Sequence, residues 1–460
     1  MDEDPLDNDG GIDGGNQPHP PGAARTPHDI QAEGPGEGLE DKGLPPVPSS
    51  RPVYLYVETG SGFPRLAWSN LSAQSAEQIG LAAAPLVAVL ALGAGAGETG
   101  FLQTAQTLPF LILAIPAGLL ADRMPRRRLM AWAEAVRAAS LILTLGLVYT
   151  GHLTLPWLSL LGFAGACGTV AYSVTAPTLV PALVPSGRLA AANARLELAR
   201  TAAFVGGPAV AGALVGWTGA SAAFGVAAAL STCGVFLLAG LREPARPVVT
   251  SGHPLADLRE SAGFMLRHSL LLPILVTQFV FNTAFFVLQA VYVPYAVHHL
   301  GLSASQVGAT LATYGAGMVV GALLAGRVIR ALPFGAVIVI GPIAGLAAAL
   351  VMALTIWTPS FALAALAFFL MGSGPIIWVI STTTLRQTVT PSHLLGRVSA
   401  INIAAYGSRP LGAAIGGFVG GLYGAETAIV VAAAGFLIQA IVILASPVRG
   451  LSGQPAMAAR

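Results

Sequence analysis

The chain has 460 residues, of which 54% are hydrophobic and 10% are charged, and its formal net charge is +2. Soluble domains carry about 25% charged residues, so this composition excludes an ordinary soluble protein. The apolar runs are about 20 residues long and do not alternate, which matches helices crossing a ~30 Å hydrocarbon core and disfavours a β-barrel.

Residues 1–62 are predicted to form a disordered, acidic tail in the cytoplasm. The first 50 residues contain 11 aspartates or glutamates against Arg25 and Lys42, together with many glycines and prolines. Such a segment cannot bury enough apolar surface to fold. It has neither the basic start nor the apolar centre of a cleavable signal peptide, so none is expected. A solvated tail is favoured over a regulatory or partner-binding segment.

Twelve membrane-spanning helices are predicted from the apolar runs. Glycine and proline are frequent inside these runs, which membrane helices tolerate because neighbouring helices re-satisfy the freed backbone groups. The predicted spans are residues 66–93, 99–121, 129–149, 155–181, 191–216, 220–241, 269–296, 304–326, 334–356, 360–384, 397–420 and 425–446.

The distribution of arginine predicts the orientation of the chain. Arginines lie in the loops after spans 2, 4, 6, 8 and 10. The alternate loops contain neither lysine nor arginine, and these are residues 94–98, 150–154, 217–219, 297–303, 357–359 and 421–424. Because cytoplasmic loops are enriched in basic residues, both termini are predicted to lie in the cytoplasm, with the protein in the plasma (inner) membrane.

Three segments of the chain recur at offsets of 204, 202 and 206 residues, which predicts two homologous halves. The corresponding segments are Leu119–Arg123 and Leu323–Arg327, Phe204–Ala211 and Tyr406–Ala413, and Pro185-Ser186 and Pro391-Ser392. The predicted halves are residues 63–241 and 269–446, joined by a cytoplasmic linker over 242–268 and followed by a cytoplasmic tail over 447–460. Parallel halves place a substrate site between them near the midplane.

The charged loop after span 2 contains Gly118, Asp122, Arg123, Arg126 and Arg127. With these residues it resembles the loop between helices 2 and 3 of the major facilitator superfamily (MFS), which reads G-x-L-x-D-R-x-G-R-R. Pro125 stands where the family usually has glycine. The resemblance covers about residues 63–446 and implies an all-α fold of twelve transmembrane helices in two homologous six-helix halves. The pattern is matched by Gly118, Asp122, Arg123, Arg126 and Arg127.

Asp122 is predicted at the C-terminal end of helix 2, where the helix dipole disfavours a negative charge. A partner outside helix 2 is therefore expected, and the resemblance suggests the start of helix 11 near Arg397 or a neighbouring arginine. The motif is predicted to act as a latch that closes the cytoplasmic side, rather than as a topology signal alone.

Glu77 is predicted near the middle of the bilayer, about 16 Å into helix 1 at 1.5 Å per residue. It shares a helical face with Asn70 and Gln74, and Gln78 lies beside them. In the MFS, helices 1, 4, 7 and 10 line the central cavity, so the resemblance implies that Glu77 faces water or substrate. A carboxyl group in such a cavity can exchange a proton near neutral pH. Glu77 is the predicted proton or cationic-substrate site, and the alternative is an acid that fixes helix packing.

Two ion pairs are predicted inside the spans of the first half. Glu134 and Arg137 on helix 3, and Glu197 and Arg200 on helix 5, are three residues apart, a spacing that brings side chains together on a helix. Mutual neutralisation lowers the cost of insertion, so a structural role is favoured over direct transport. A gate role, in which these charges exchange partners with the loop arginines Arg126 and Arg127, is the intermediate possibility.

Helix 5 contains a motif that resembles the G-x-x-x-G-P-x-x-G-G signature of MFS proton antiporters. Gly207, Pro208 and Gly212 match it, and Ala203 and Ala211 replace two of its glycines. Small residues let helix backbones approach closely, and proline bends a helix. The motif favours export over uptake.

Helix 7 carries a polar and aromatic stripe, which the resemblance places on the cavity wall. Tyr172 in helix 4 and Trp378 in helix 10 are predicted to add stacking surface. Arg409, about 16 Å into helix 11, is predicted to attract an anionic group or to pair with an acid across the halves. Such a wall suits a polyfunctional organic molecule better than a small ion. The stripe consists of Gln278, Asn282, Phe285, Gln289 and Tyr292.

These observations predict a secondary transporter and not an enzyme. The arrangement resembles bacterial exporters of the enterobactin-exporter type and drug:proton antiporters, which implies proton-coupled export of a drug, siderophore or secondary metabolite by alternating access. An uptake carrier for a small metabolite and a non-transporting sensor are the alternatives. The expected partners are a small-molecule substrate, protons and the lipid bilayer, with no nucleic acid, cofactor or metal, and a monomer is expected. His298 and His299 are predicted to be solvated at the outer surface.

Overall fold

The structure of the protein is a computed structural model. It describes residues 62–185, 188–243, 262–391, 394, 398 and 405–455, apart from the side chains of residues 115, 119, 122 and 190. Nearly all of the predicted tail and most of the predicted linker therefore lie outside the described residues. Within the described ranges the regular structure is helical.

The first half contains six helices that follow one another with short connections, and the second of them is divided into two segments. They are α1 (Gly62–Leu92), α2a (Ala96–Ile112), α2b (Ala114–Arg123), α3 (Arg126–Tyr149), α4 (Leu155–Leu183), α5 (Leu189–Thr218) and α6 (Ala220–Ala239).

The second half repeats this order after a short helical segment at residues 262–267. A 3-10 turn at Ala405–Ser408 precedes the eleventh helix, and another at Pro447–Gly450 follows the twelfth. The helices are α7 (Leu271–His298), α8 (Ala304–Ala331), α9 (Phe334–Leu354), α10 (Phe361–Val389), α11 (Arg409–Tyr423) and α12 (Ala425–Ala445).

Ten of the described helices are long and apolar enough to cross a membrane. The two predicted spans outside this set are the divided second helix and α11, whose preceding residues 399–404 lie outside the described part of the chain. The architecture matches the predicted all-α fold of twelve membrane helices in two six-helix halves.

Two predicted helices differ from their expected form. Helix 2 is interrupted at Leu113 because Pro116 cannot donate a backbone hydrogen bond to the carbonyl of Ile112, and its ring crowds that carbonyl. Helix 11 was expected to be continuous from residue 397, but Arg409 begins α11 directly after the 3-10 turn. Pro410 follows in the first turn, where its missing N–H costs nothing.

The end of the bundle where α1, α3, α5, α7, α9 and α11 finish is called the arginine-poor end. Gly219 alone connects α5 to α6, and Gly424 alone connects α11 to α12, with φ of 89° and 90°. Backbone in this region disfavours a Cβ atom, so glycine permits these one-residue turns. Equivalent turns in equivalent places support the predicted repeat.

The two halves contact each other at the arginine-poor end through glycines. A Cβ atom at Gly100 of α2a would lie 2.1 Å from the Cα of Gly417 in α11. A Cβ atom at Gly212 of α5 would lie 2.7 Å from the Cα of Gly308 in α8. The backbones therefore touch directly, as small residues allow.

Both hydrogen bonds that join the halves within the described ranges lie at this same end. Thr99 Oγ1 donates to the carbonyl of Ala290 at 2.8 Å, and Ser305 Oγ donates to the carbonyl of Gly212 at 3.5 Å. Deeper in the bundle, the contact continues with Val205 of α5 against Gly315 of α8. The arginine-poor end is thus the side on which the halves are closed.

Candidate functional site

Three charged side chains meet inside the first half, about halfway along α1. Arg137 Nη1 lies 3.6 Å from Glu77 Oε2, and Arg137 Nη2 donates to Glu134 Oε2 at 2.5 Å. The predicted contact between Glu134 and Arg137 is present. Glu77, which the sequence did not connect with this pair, is its third member. When both acids are ionised, this triad of two carboxylates and one guanidinium carries a net charge of −1.

Glu134 is held more tightly than Glu77. Its Oε1 accepts a hydrogen bond from Ser231 on α6 at 2.5 Å, and Arg137 Nη1 donates to the carbonyl of Ala73 at 3.0 Å. The Glu134 side chain is 0% exposed, whereas that of Glu77 is 14% exposed. Buried charges persist when they are paired and hydrogen-bonded. Glu77, with a longer contact and some exposure, is the member best able to change partner or protonation.

A cavity of about 70 Å³ adjoins this triad inside the first half. At about 30 Å³ per water molecule it can hold roughly two. The Oε1 of buried Gln106 has no hydrogen-bond partner within the described part of the chain, so it is available to water or ligand. The polar wall of the cavity consists of Glu77, Gln106, Arg137, Ser140, Thr144 and Thr169.

Arg409 lies between the halves among aromatic rings. Its guanidinium carbon is 4.3 Å from the ring centroid of Tyr406, and 5.3 Å from those of Phe110 and Phe286. Its Nε donates to Asn282 Oδ1 at 3.3 Å. Of the two predicted alternatives, pairing with an acid is not seen, since no carboxylate oxygen of the described residues lies within the 4.0 Å of an ion pair.

The second predicted pair lies on α5. Arg200 Nε donates to Glu197 Oε2 at 3.0 Å, and the Arg200 guanidinium carbon is 5.4 Å from the ring centroid of Phe204. The same helix packs on α8 of the second half where Val205 contacts Gly315. This locally neutral pair therefore lies on a helix at the boundary between the halves.

Sequence reasoning missed four residues of this region. Arg386 was counted with the basic loops, yet its Nε is buried without a hydrogen-bond partner in the described ranges. Phe110 and Tyr314 carry no charge or periodic signal that would have distinguished them. The i to i+3 spacing of Tyr406 and Arg409 is the one clue in the sequence.

Some residues of the α7 stripe lie near Arg409 between the halves, and others lie in the interior of the second half. Asn282 lies 5% exposed beside Arg409, and Gln278 lies 6% exposed one turn earlier. Gln289 is half-buried. Tyr292, which was also predicted on the wall, is instead 0% exposed, with its hydroxyl 2.5 Å from Thr310 Oγ1.

Tyr172 and Trp378 lie inside their own halves and not on the predicted cavity wall. Tyr172 is 1% exposed, and its hydroxyl is 3.2 Å from Ser69 Oγ. Trp378 is 3% exposed and packs near Phe281, with ring centroids 6.5 Å apart. Burial of this extent gives both side chains a packing role in this conformation.

The charged loop between α2b and α3 is anchored to neighbouring helix ends. Arg126 donates to the carbonyl of Thr178, and Arg127 donates to the carbonyl of Leu241 at 2.7 Å. The backbone N–H groups of both arginines donate to the Glu243 carboxylate, which thereby caps the start of α3. Arg123 is exposed and Gly118 half-buried. The side chain of Asp122 and all of Arg397 lie outside the described residues, so the predicted latch remains a prediction.

The helix 5 motif forms helix contacts on two sides. A Cβ atom at Gly207 would lie 2.4 Å from the Cβ of Gln78, so α5 packs tightly on α1. Pro208 and Gly212 face α8 of the other half, where a Cβ atom at Gly308 would lie 2.5 Å from the Pro208 carbonyl oxygen. Gln74 and Gln78 are 8% and 7% exposed, so both amides lie within helix packing.

His299 is not the solvated residue that was predicted. Its Nδ1 lies 3.1 Å from Glu426 Oε1, its Nε2 lies 3.2 Å from the carbonyl oxygen of Ile356, and its ring stacks on Tyr295. His298 is exposed. Across the described ranges, no group of three or more His, Cys, Asp or Glu residues has the geometry to hold a metal ion.

Comparison with known proteins places this geometry in context. The family model described as Major Facilitator Superfamily matches residues 66–408 and 274–458 of the chain. The structure is similar to that of a bacterial homolog of the human lysosomal transporter Spinster in an inward-facing and unoccupied conformation. That likeness has a TM-score of 0.65 and 16% identity over 85% of this chain and 98% of that chain.

Two further solved structures show the same likeness. The nucleoside transporter NupG has a TM-score of 0.65 and 15% identity over 83% of this chain and 98% of that chain. A bacterial homologue of the iron transporter ferroportin, in an inward-facing state, has a TM-score of 0.65 and 18% identity over the same shares, 83% and 98%. At such identities the likeness concerns the fold alone. No protein of curated function matches the chain.

Proposed function

Because the chain belongs to the major facilitator superfamily, we propose that it is a secondary transporter that couples the export of an organic substrate to the entry of protons. Its two halves alternate between a conformation closed at the arginine-poor end and one closed at the opposite end. The described residues support a transporter and not an enzyme, since they form a membrane bundle with a polar site between its halves.

The observation that carries the proposal is the unequal sharing of Arg137 between two acids. Glu134 is fully buried at 2.5 Å from the guanidinium, whereas Glu77 is partly exposed at 3.6 Å. Protonation of Glu77 therefore leaves a neutral, intact pair behind, while protonation of Glu134 would disrupt two short hydrogen bonds. Glu77 is the group suited to carry a proton that competes with substrate.

The closed glycine crossings support the conformational part of the proposal. The distribution of basic residues favours an arginine-poor end that faces outward, with both termini in the cytoplasm and the protein in the inner membrane. We therefore assign this conformation to the state in which substrate reaches the site from the cytoplasm. Substrate enters, the halves rock, an outside proton neutralises Glu77, and substrate leaves. The resemblance of the α5 motif to antiporters favours export as the direction.

The experiment measures intracellular accumulation of a panel of fluorescent drugs and siderophores. Cells express the intact protein, Glu77→Gln, or the control Glu426→Gln, which removes an acid 41% exposed at the arginine-poor end. Each is measured with and without a protonophore. We expect at least one compound to accumulate severalfold less in cells that express the intact protein or the control variant than in cells without the protein. This difference should vanish when the cells express Glu77→Gln or when the protonophore is present.

Either of two results would contradict the proposal. Higher accumulation with the intact protein would make it an importer. Reduced accumulation that survives both the protonophore and Glu77→Gln would show export without proton coupling at this site. A panel without any difference would remove the support for export of drugs and siderophores.

A further inference from the structure

The charged groups of the candidate site have opposite net signs in the two halves. In the first half, the triad of Glu77, Arg137 and Glu134 retains a net charge of −1. In the second half, Arg409 contributes +1, and Arg386, whose Nε is buried without a hydrogen-bond partner in the described ranges, contributes a further +1. The pair of Glu197 and Arg200 is neutral. We infer that the site binds a zwitterionic organic molecule, with its ammonium at Glu77 and its carboxylate at Arg409. This inference rests on the proposed transport function and names its substrate class.

Arg409 has the form of a carboxylate receptor. Within the described residues its one hydrogen-bond partner is Asn282, through Nε, so Nη1 and Nη2 are unoccupied. The rings of Phe110, Phe286 and Tyr406 surround the guanidinium and restrict its orientation. A planar guanidinium held this way presents two parallel N–H donors, which match the two oxygens of a carboxylate.

Glu77 has the surroundings that an ammonium group requires. An ammonium has three donors and no acceptor, so its site must supply oxygen atoms. The partly exposed Glu77 carboxylate supplies a charged acceptor, and the unpartnered Oε1 of Gln106 supplies a neutral acceptor on the wall of the same cavity. At about 70 Å³, this cavity has room for an amine and its nearest carbon atoms.

One aromatic ring connects the two receptors. Phe110 lines the cavity beside Glu77, and the Arg409 guanidinium carbon lies 5.3 Å from the centroid of that ring. Glu77 and Arg409 interact electrostatically without forming an ion pair. A molecule carrying both charges compensates both residues, whereas a simple cation or anion leaves one desolvated charge without a partner.

This arrangement also provides a coupling mechanism. A proton on Glu77 removes the acceptor charge for the ammonium and leaves Arg409 unchanged. Proton and substrate therefore compete for Glu77, which is the condition for exchanging one against the other. A substrate with a carboxylate alone would instead bind better when Glu77 is protonated, and would favour cotransport.

The test is equilibrium binding to the purified full-length protein in detergent, without a gradient. The probes are phenylalanine, 4-(aminomethyl)benzoic acid and norfloxacin, whose charges are progressively farther apart. Each is compared with its ethyl ester, which keeps the ammonium alone, and its N-acetyl derivative, which keeps the carboxylate alone. We expect at least one free zwitterion to bind about tenfold or more tightly than both derivatives, as the loss of a charged hydrogen-bonded contact predicts.

Variants assign each charge to its receptor. Arg409→Gln should abolish the preference for the zwitterion over its ethyl ester. Glu77→Gln should abolish the preference for the zwitterion over its N-acetyl derivative. Arg409→Lys keeps the positive charge and loses the two parallel N–H donors, so it should retain part of the preference for the zwitterion over its ester. Binding by Arg409→Lys also shows whether the loss of this preference in Arg409→Gln reflects misfolding. The exposed charges Arg327 and Glu426 provide matched controls as Arg327→Gln and Glu426→Gln, which should bind like the intact protein.

The inference is overturned if every derivative binds as tightly as its parent zwitterion, or if no probe binds at all. It is equally overturned if the variants lower affinity for all three forms by the same factor. These results are separable from failure of the proposed function, because binding needs no proton gradient. Selective binding of zwitterions without proton-coupled export would refute the proposed export and leave the substrate class standing. Proton-coupled export of singly charged compounds would refute the zwitterionic substrate class and leave the proposed export standing.

Discussion

At the scale of single residues, Arg137 determines what the two acids beside it can do. Its side chain is 4% exposed, and its guanidinium contacts both Glu77 and Glu134. An uncompensated charge inside a membrane bundle is costly, so the arginine makes a fully buried Glu134 possible. Because the arginine is already occupied by Glu134 at 2.5 Å, its hold on Glu77 at 3.6 Å is weaker.

Arg137→Gln is expected to destabilise the protein by about 3–5 kcal/mol, the cost of leaving a buried charge without its partner. Adding Glu134→Gln should restore much of this loss, since the double variant buries no ion at that position. Glu134→Gln alone leaves Arg137 paired with Glu77 and should cost less than Arg137→Gln. Thermal unfolding in detergent measures all three. A double variant no more stable than Arg137→Gln would show that the triad is not a coupled unit.

At the scale of elements, the crossings α2a with α11 and α5 with α8 depend on glycine. A Cβ atom at Gly212 would lie 2.6 Å from the carbonyl oxygen of Ala304, which is backbone and cannot rotate away. At Gly206, on the same helix, nothing lies within 4 Å of the added atom. The same substitution at Gly212 and at Gly206 changes helix propensity in both cases but adds a steric clash only at Gly212. Comparing the two variants therefore separates the effect of side-chain bulk from that of helix propensity.

Gly212→Val should disfavour the conformation that is closed at the arginine-poor end. Overpacking costs about 1–3 kcal/mol, and this cost falls on the closed state alone, so its population should drop on the order of tenfold. The readout is outside labelling by an impermeant maleimide of Thr99→Cys, a position 2% exposed in the other crossing. Labelling should increase with Gly212→Val and stay unchanged with Gly206→Val. Equal labelling of both would mean that this contact does not control closure.

At the scale of the whole molecule, the halves are related by the repeat and closed by equivalent helices. Helix 2 of one half meets helix 11 of the other, and helix 5 meets helix 8. Transport requires these crossings to separate and reform, as alternating access in parallel halves implies. Linking the halves across a crossing should therefore stop the cycle without unfolding either half.

A disulfide between Gly97→Cys and Gly421→Cys tests this requirement. A Cβ atom at Gly97 would lie 3.2 Å from the Cα of Gly421, and one at Gly421 would lie 3.1 Å from the Cα of Gly97, so the two cysteines face each other across the crossing. In a background with Cys167→Ser and Cys233→Ser, oxidation should abolish transport of any identified substrate, and reduction should restore it. Each single cysteine variant serves as control. Transport that continues through a fully oxidised sample would contradict rocking at this crossing.

The candidate site was predictable where it depends on neighbours in the chain. The pairs Glu134 with Arg137 and Glu197 with Arg200 follow from helical spacing, and both are present. The break in helix 2 is likewise a local property, because Pro116 itself interrupts the helix. The positions of Tyr172 and Trp378 were not predictable, because a helical stripe does not say which neighbour will cover it.

The sequence by itself determined the helices, their grouping into two halves and the presence of charges inside the spans, because hydropathy, spacing and repeats are local properties of the chain. The tertiary structure decided which charges meet. Glu77 joins Arg137 from a helix about 60 residues away in sequence, and Arg409 is enclosed by rings from α2a, α7 and the turn before α11. Such contacts depend on how helices pack across the bundle. The separation of the triad with two acids in one half from Arg409 in the other follows from that packing.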